Sequence, residues 1–342
     1  MTSSKIPQGP PYAPQTVNVG GIPTVDVDVP ICSVFMFLFL VGAICHMTIL
    51  QINLRRGHKF LMSGILFGFC MAREVALTIR TVWAVYPNDT QIAIAAAIFV
   101  PIGVLLLFLV NLIFAQRILR ASHPHIGWNK AVSTAFKILY ALIVVMLAII
   151  ISATVDNFFV LKTDAHNTIR DLTITAVTYF LFLSFLPIPI VILAVIIPRK
   201  TRVEKFGKGR WRTKIAVLLT SSVLLCLGSS FRAATAYKTP RPKNNPAWFD
   251  KKWCFYFFNF TLETIVIYLY LLLRVDRRFH IPNGSKGPGD YSAGQRSQEK
   301  PQEVGDSGGG SSVATRVNSE EEVFDDHVPI EREPGKAKGS PV

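Results

Sequence analysis

Apolar residues along this chain come in unbroken runs of about 20, the length that the hydrocarbon core of a bilayer demands of a helix. Seven such runs fall at approximately 31–53, 60–84, 92–116, 131–155, 173–197, 215–237 and 253–273. Stretches such as "AIFVPIGVLLLFLVNLIFA" (97–115) are hydrophobic on every face, which a soluble helical core does not repeat seven times. The pattern predicts an all-α integral membrane bundle of seven transmembrane helices over 31–280. It shows no internal repeat and no pair of matching halves of the kind many transporters carry.

Composition agrees with lipid as the main solvent: 50% of the 342 residues are hydrophobic and 17% are charged, against roughly 25% charged in soluble domains. Residues 1–30 are rich in Pro and polar groups, without the short apolar core of a cleavable leader. They read as a disordered extracellular segment, with the first run kept as an anchor. Residues 281–342 carry 7 basic and 11 acidic residues among Gly and Ser and read as a disordered acidic tail. Ser319, followed by Glu320, Glu321 and Glu322, has the acidic context of a phosphoacceptor.

Cytoplasmic loops of membrane proteins hold the excess of Lys and Arg. Placing the N-terminus outside puts 17 basic residues on inner segments, eight of them in 198–214, and 8 on outer ones. That predicts an outer N-terminus and a cytoplasmic C-terminus, and ascribes the formal charge of +14 to anionic lipid rather than nucleic acid. The outer segment 238–252 dissents with Lys238, Arg241, Lys243, Lys251 and Lys252; attraction of an anionic ligand and simple drift both explain it. The five cysteines lie in or beside spans, none at metal-ligand spacing. Cys32 and Cys254 share the outer side, where a disulfide is chemically open to them, but buried thiols are the simpler reading. No cofactor is called for.

The informative residues are the charges inside the runs. Each costs roughly 2.5–3.5 kcal/mol at mid-membrane, while each large apolar residue returns about 0.3–0.6. Arg73, Glu74 and Arg80 together offset all or more of what the second run supplies, so that helix needs its neighbours. Arg73 and Glu74 point about 100° apart and face different partners. Glu263, near the middle of the seventh run, complements Arg73. Glu74 is then expected to meet Arg232 or to stay protonated. Tyr256, Asn259, Glu263 and Tyr270 make one polar stripe on the seventh helix, which His46 is placed to join. Arg80 and Arg232 lie toward the outer ends of their helices, where they either reach the outer interface or face one outer cavity. Pro101 with Gly103, and Pro187 with Pro189, interrupt the third and fifth runs. Such an interior either binds a ligand or moves a proton, or is a static ion pair that fixes packing.

Three stretches, "CMAREVALTIRTVWAVYP", "NLIFAQRILRASHPHIGW" and "CFYFFNFTLETIVIYLYLLLRVDRRFHIPNG", resemble a family of fungal seven-span membrane proteins without an established function. Some of its members carry the provisional label family C-like G-protein-coupled receptor. The resemblance covers roughly 30–280 and implies the seven-span fold but no mechanism. A more distant likeness, in architecture alone, is to the fungal lipid-translocating exporter family, which shares seven spans with intramembrane Arg and Glu. The last run lacks the Lys that a retinal protein needs, and no Walker loop, nucleophile elbow or zinc motif is present, so an enzyme is not expected. The resulting expectation is a receptor-like sensor of an amphiphilic or anionic small ligand, in the plasma membrane by default. Arg73, Glu74, Glu263, Asn259 and His46 form its core, Arg80 and Arg232 its mouth, and 198–214 or the tail meets a cytoplasmic partner. The alternatives are a lipid or amphiphile translocator and a structural scaffold.

Overall fold

The structure is a computed structural model describing residues 9–12, 19–160, 163–198, 203–239, 241 and 245–292. The described residues are helical and contain no strand. Seven helices are long and apolar enough to cross a membrane. They are α1 (Val25–Arg55), α2 (Met62–Val85), α3 (Thr90–Ser122), α4 (Lys130–Phe159), α5 (Thr163–Phe185, continued as Pro187–Ile196) and α6 (Trp211–Tyr237). The seventh, α7, runs from Lys252 to Leu272. They run up and down, so the bundle has an N-side, where α1 begins, and a C-side, where α7 ends.

Each helix falls on one of the apolar runs, and the differences lie at the ends. α1 begins at Val25 rather than 31. Its early start follows from Asp28, which turns back to accept the Thr24 backbone N–H at 2.8 Å and satisfies a donor the first turn leaves free. Asp26 and Asp28 also sit where a helix dipole favours negative charge. α5 breaks at Leu186, immediately before Pro187, because proline removes a backbone donor and crowds the preceding turn. Pro101 leaves α3 continuous. α3 packs against α2, α4, α5 and α6 and forms the centre of the bundle. α4 lies at the rim, with Val144 and Val145 exposed.

The C-side is closed by aromatic packing. Phe279, just beyond α7, stacks on Phe114 of α3 at 4.1 Å between ring centroids. Phe206 and Tyr291 are fully buried against each other, and Tyr291 also meets Trp128. The loop and the segment after α7 are stitched together by backbone: Lys208 N–H donates to the Arg277 carbonyl at 2.8 Å, and Gly289 N–H to Glu204 Oε1 at 2.7 Å. Gly207 has a φ of +57°, and a Cβ there would lie 2.2 Å from the Arg278 carbonyl, so only glycine fits. Asn283 donates to the Gly57 carbonyl at 2.7 Å and accepts from Lys59 N–H at 3.2 Å. Composition assigns 281–292 to the tail, yet Asn283 and Tyr291 fold this segment under the bundle. Lys5, Arg199, Lys200, Arg202, Lys243, Ser319 and the tail beyond 292 lie outside the described residues.

A carboxylate locks the exit of α7. Asp276 accepts both arms of the Arg274 fork at 2.9 Å and Asn53 Nδ2 at 3.2 Å, with Arg274 in the left-handed region at φ 47°. Burial pushes the Asp276 carboxyl up, but the Arg274 and Asn53 bonds outweigh it and hold the group below its ordinary 3.8. A depressed folded pKa contributes stability that is complete above 3.8 and is lost as pH falls through the folded value. Asp276→Asn should therefore lower the melting temperature at pH 7 and flatten the acid limb of a stability–pH profile below 3.8. A variant whose profile stays parallel to the parent's down to pH 2 contradicts this assignment.

Candidate functional site

Arg73, on α2, is fully buried and points into the bundle. Its Nε lies 2.6 Å from Glu263 Oε2, and its Nη2 donates to Glu263 Oε1 at 2.7 Å, a two-point match of fork to carboxylate. Its Nη1 donates to the Val100 carbonyl on α3 at 2.7 Å. Room for the guanidinium comes from Gly103, where a Cβ would stand 3.0 Å from Arg73 Cζ. The rings of Phe69 and Phe260 lie against the cation, each centroid 5.4 Å away. Gly103→Val should push the guanidinium off Glu263 and cost about 1–3 kcal/mol, the range for overpacking a core. A thermal melt checks this, and an unchanged melting temperature contradicts it.

Glu263 serves a second arginine. Arg232, on α6, donates from Nη2 to Glu263 Oε1 at 2.8 Å and from Nε to Asn259 Oδ1 at 2.8 Å. Asn259 is oriented in turn by donating to the Phe255 carbonyl at 2.9 Å. It lies in a π-helical segment, Phe257–Thr261, that interrupts α7; such insertions are frequent at functional sites. Opposite it, α6 comes close at Gly228, where a Cβ would sit 3.0 Å from the Phe258 carbonyl. Two guanidiniums thus share one carboxylate. Arg73 and Glu263 are dry at 0% and 1% exposure, whereas the Arg232 side chain keeps 18%.

A second ionic knot closes the N-side around Asp28. Arg80 donates to Asp28 Oδ1 from Nη2 at 2.8 Å, Tyr256 from its hydroxyl at 2.7 Å, and Lys252 Nζ to Asp28 Oδ2 at 2.5 Å. Arg80 also holds the Gly20 carbonyl at 3.1 Å and lies 4.0 Å above the Phe255 ring. Gly20, at φ +86°, crosses that ring so closely that a Cβ would stand 2.7 Å from it. Residues 19–24 are thereby strapped across the N-side. Asp28 was not among the expected site residues. The acidic pair in "TVDVDVP", directly before the first apolar run, is the signal that points to it.

The other expected residues separate from this core. Glu74 stays half-buried beside Leu40 of α1 and does not meet Arg232, whose fork Glu263 and Asn259 already occupy. His46 is buried near Ile267 of α7, a turn beyond Glu263, and so lies on the same stripe but outside the ion cluster. Arg80 is paired with Asp28 rather than presented as a free cation. Tyr256, Asn259, Glu263 and Tyr270 are all buried, and Tyr270 donates to Asn111 of α3. Cys32 and Cys254 are free, buried thiols: Cys32 Sγ lies 3.3 Å from the Tyr256 hydroxyl, and Cys254 faces the Trp248 carbonyl.

Between α3, α4, α5 and α6 the N-side half of the bundle opens into a cavity of about 740 Å³. Its floor is Val100, Pro101, Arg232 and Asn259; its walls include Ala97, Phe158, Ile169 and Phe231; its rim carries Arg170, Lys238 and Arg241. Among the described residues, counting Arg80, five cationic side chains border it, against the carboxylate of Asp250, which is held by its own loop through the Ala247 N–H at 2.8 Å. The volume lies within the roughly 300–1,000 Å³ of small-molecule sites.

A family model described as a protein of unknown function, DUF3112, matches residues 210–280. That stretch contains α6 and α7, and with them Arg232, Asn259 and Glu263, while Arg73 and Asp28 lie outside it. No curated protein and no solved structure matches the chain.

Proposed function

We propose that this chain is a seven-span membrane protein, N-side outward, that admits an anionic amphiphile into the N-side cavity and signals its presence across the bundle. The cavity carries the proposal, because apolar walls beneath a cationic rim suit a molecule with an acid head and a hydrocarbon body. Membrane insertion is supported by exposed Val34, Phe37, Val144 and Ile196 on the outer faces, an apolar surface that water does not leave bare. The outward N-side rests on the bias of basic residues toward the opposite segments. Sensing is favoured over translocation because Phe114, Phe206, Phe279 and Tyr291 are packed below the cavity at 0% exposure and close the C-side among the described residues.

The test uses purified protein in lipid nanodiscs with three twelve-carbon probes: dodecanoate, dodecanol and dodecyltrimethylammonium. Dodecanoate should raise the melting temperature most and the cation least. Equal shifts from all three probes contradict the proposal. Reconstituted protein should also leave fluorescent lipids in their original leaflet; rapid exchange selects the translocator instead.

A further inference from the structure

The ion cluster at the cavity floor is one charge short of neutrality. Arg73 and Arg232 bring two guanidiniums and Glu263 one carboxylate; Asn259, their fourth partner, is neutral. A buried net charge is costly unless a counter-ion completes it. All three Arg73 nitrogens are turned inward, Nε and Nη2 to Glu263 and Nη1 to the Val100 carbonyl, but Arg232 spends only Nε and Nη2. Its Nη1 makes no hydrogen bond among the described residues, and the side chain borders the cavity.

We propose that Arg232 is an oxyanion site, taking the monoanionic head of an apolar-bodied acid as the fourth charge of the cluster. This rests on the reading of the cavity as an anionic-amphiphile site and adds where the head lies and what charge it bears. A single negative charge balances the cluster, whereas a phosphate monoester, at about −1.5 to −2, exceeds it. A carboxylate or a phosphodiester head meets that charge. Its body extends along Ala97, Phe158 and Phe231 toward the mouth. A small apolar recess of about 30 Å³ bounded by Pro101, Phe108, Ile150 and Arg232 lies beside the head. Because Arg232 also grips Asn259, in the π segment of α7, an anion that draws its fork outward pulls on α7 directly.

Two variants and one pair of probes test the assignment. Asn259→Asp supplies the missing negative charge from the protein itself. It should weaken dodecanoate about tenfold or more, the scale of a charged hydrogen bond. Arg232→Gln should weaken dodecanoate by a similar factor while leaving dodecanol affinity unchanged, a split that general unfolding does not produce. Should neither variant be recoverable, the parent protein decides: dodecanoate must outbind dodecanol about tenfold or more, and comparison of dodecanoate with vesicles containing phosphatidylglycerol identifies the carboxylate or the phosphodiester as the preferred head. Dodecanoate binding that survives both variants moves the head to the Arg170–Lys238–Arg241 rim and overturns this inference alone. Absence of any preference for dodecanoate overturns the cavity reading with it.

Discussion

Glu263→Gln should be the most damaging single change in this protein, lowering stability by about 3–5 kcal/mol, the range for leaving a buried charge without its partner. The substitution keeps the shape but removes the one carboxylate that Arg73 and Arg232 share. Arg73 suffers more, since it is fully buried, encased by Phe69 and Phe260, and left with the Val100 carbonyl and a neutral amide oxygen in place of a counter-charge. Arg232 has the cavity to turn into. Thermal melts in nanodiscs check the result, and a loss under about 1 kcal/mol, typical of an exposed pair, contradicts it. The combined change Arg73→Met, Glu263→Leu and Arg232→Met should recover most of the stability, as apolar replacement of whole buried ion clusters often does. It should at the same time lose dodecanoate binding. A scaffold whose charges only fix packing predicts the first outcome without the second.

Asp28→Asn should have the next largest effect, about 3 kcal/mol, because one carboxylate accepts from Arg80, Lys252, Tyr256 and the Thr24 backbone. Lys252 is 27% exposed and can turn to water. Arg80 is 5% exposed and keeps the Gly20 carbonyl, Tyr256 and a neutral amide oxygen, with no counter-charge. The loss should therefore appear locally as well as globally. The Gly20 N–H, bonded to the Asp250 carbonyl at 2.9 Å, should exchange with solvent much faster once the strap over 19–24 loosens. Unchanged exchange at Gly20 together with an unchanged melting temperature contradicts the role given to Asp28.

What the amino-acid sequence discloses here follows from cost. A charge inside a run of 20 apolar residues is expensive wherever it points, so Arg73, Glu263 and Arg232 announce themselves, and their shared depth makes the Arg73–Glu263 contact foreseeable. Asp28 sits where a run is just beginning, and there a carboxylate is cheap and uninformative. Its role depends on α1 starting six residues earlier than the apolar run, a boundary set by the capping bond rather than by hydrophobicity. The rotation of Glu74 away from Arg232 follows from the 100° step between neighbours on a helix, but which neighbouring helix fills that direction is a tertiary fact. The cavity is hidden for the same reason: it is the space left between α3, α4, α5 and α6, and no local pattern encodes a gap. The π segment carries no compositional mark at all, since "FFNFT" reads as ordinary apolar helix. Tyr291 is hidden in the tail because composition averages over 281–342, and single aromatics such as Tyr291 among Gly and Ser do not change an average.

Two arginines share one glutamate in the dry centre of the bundle, and a double-mutant cycle across Arg73 and Glu263 measures that most directly. With Arg73→Met, Glu263→Leu and the pair, the two losses should fail to add by about 2 kcal/mol or more, the double variant standing closer to the parent than either single change implies. Losses that add to within about 0.5 kcal/mol, as they do for residues that do not touch, contradict it.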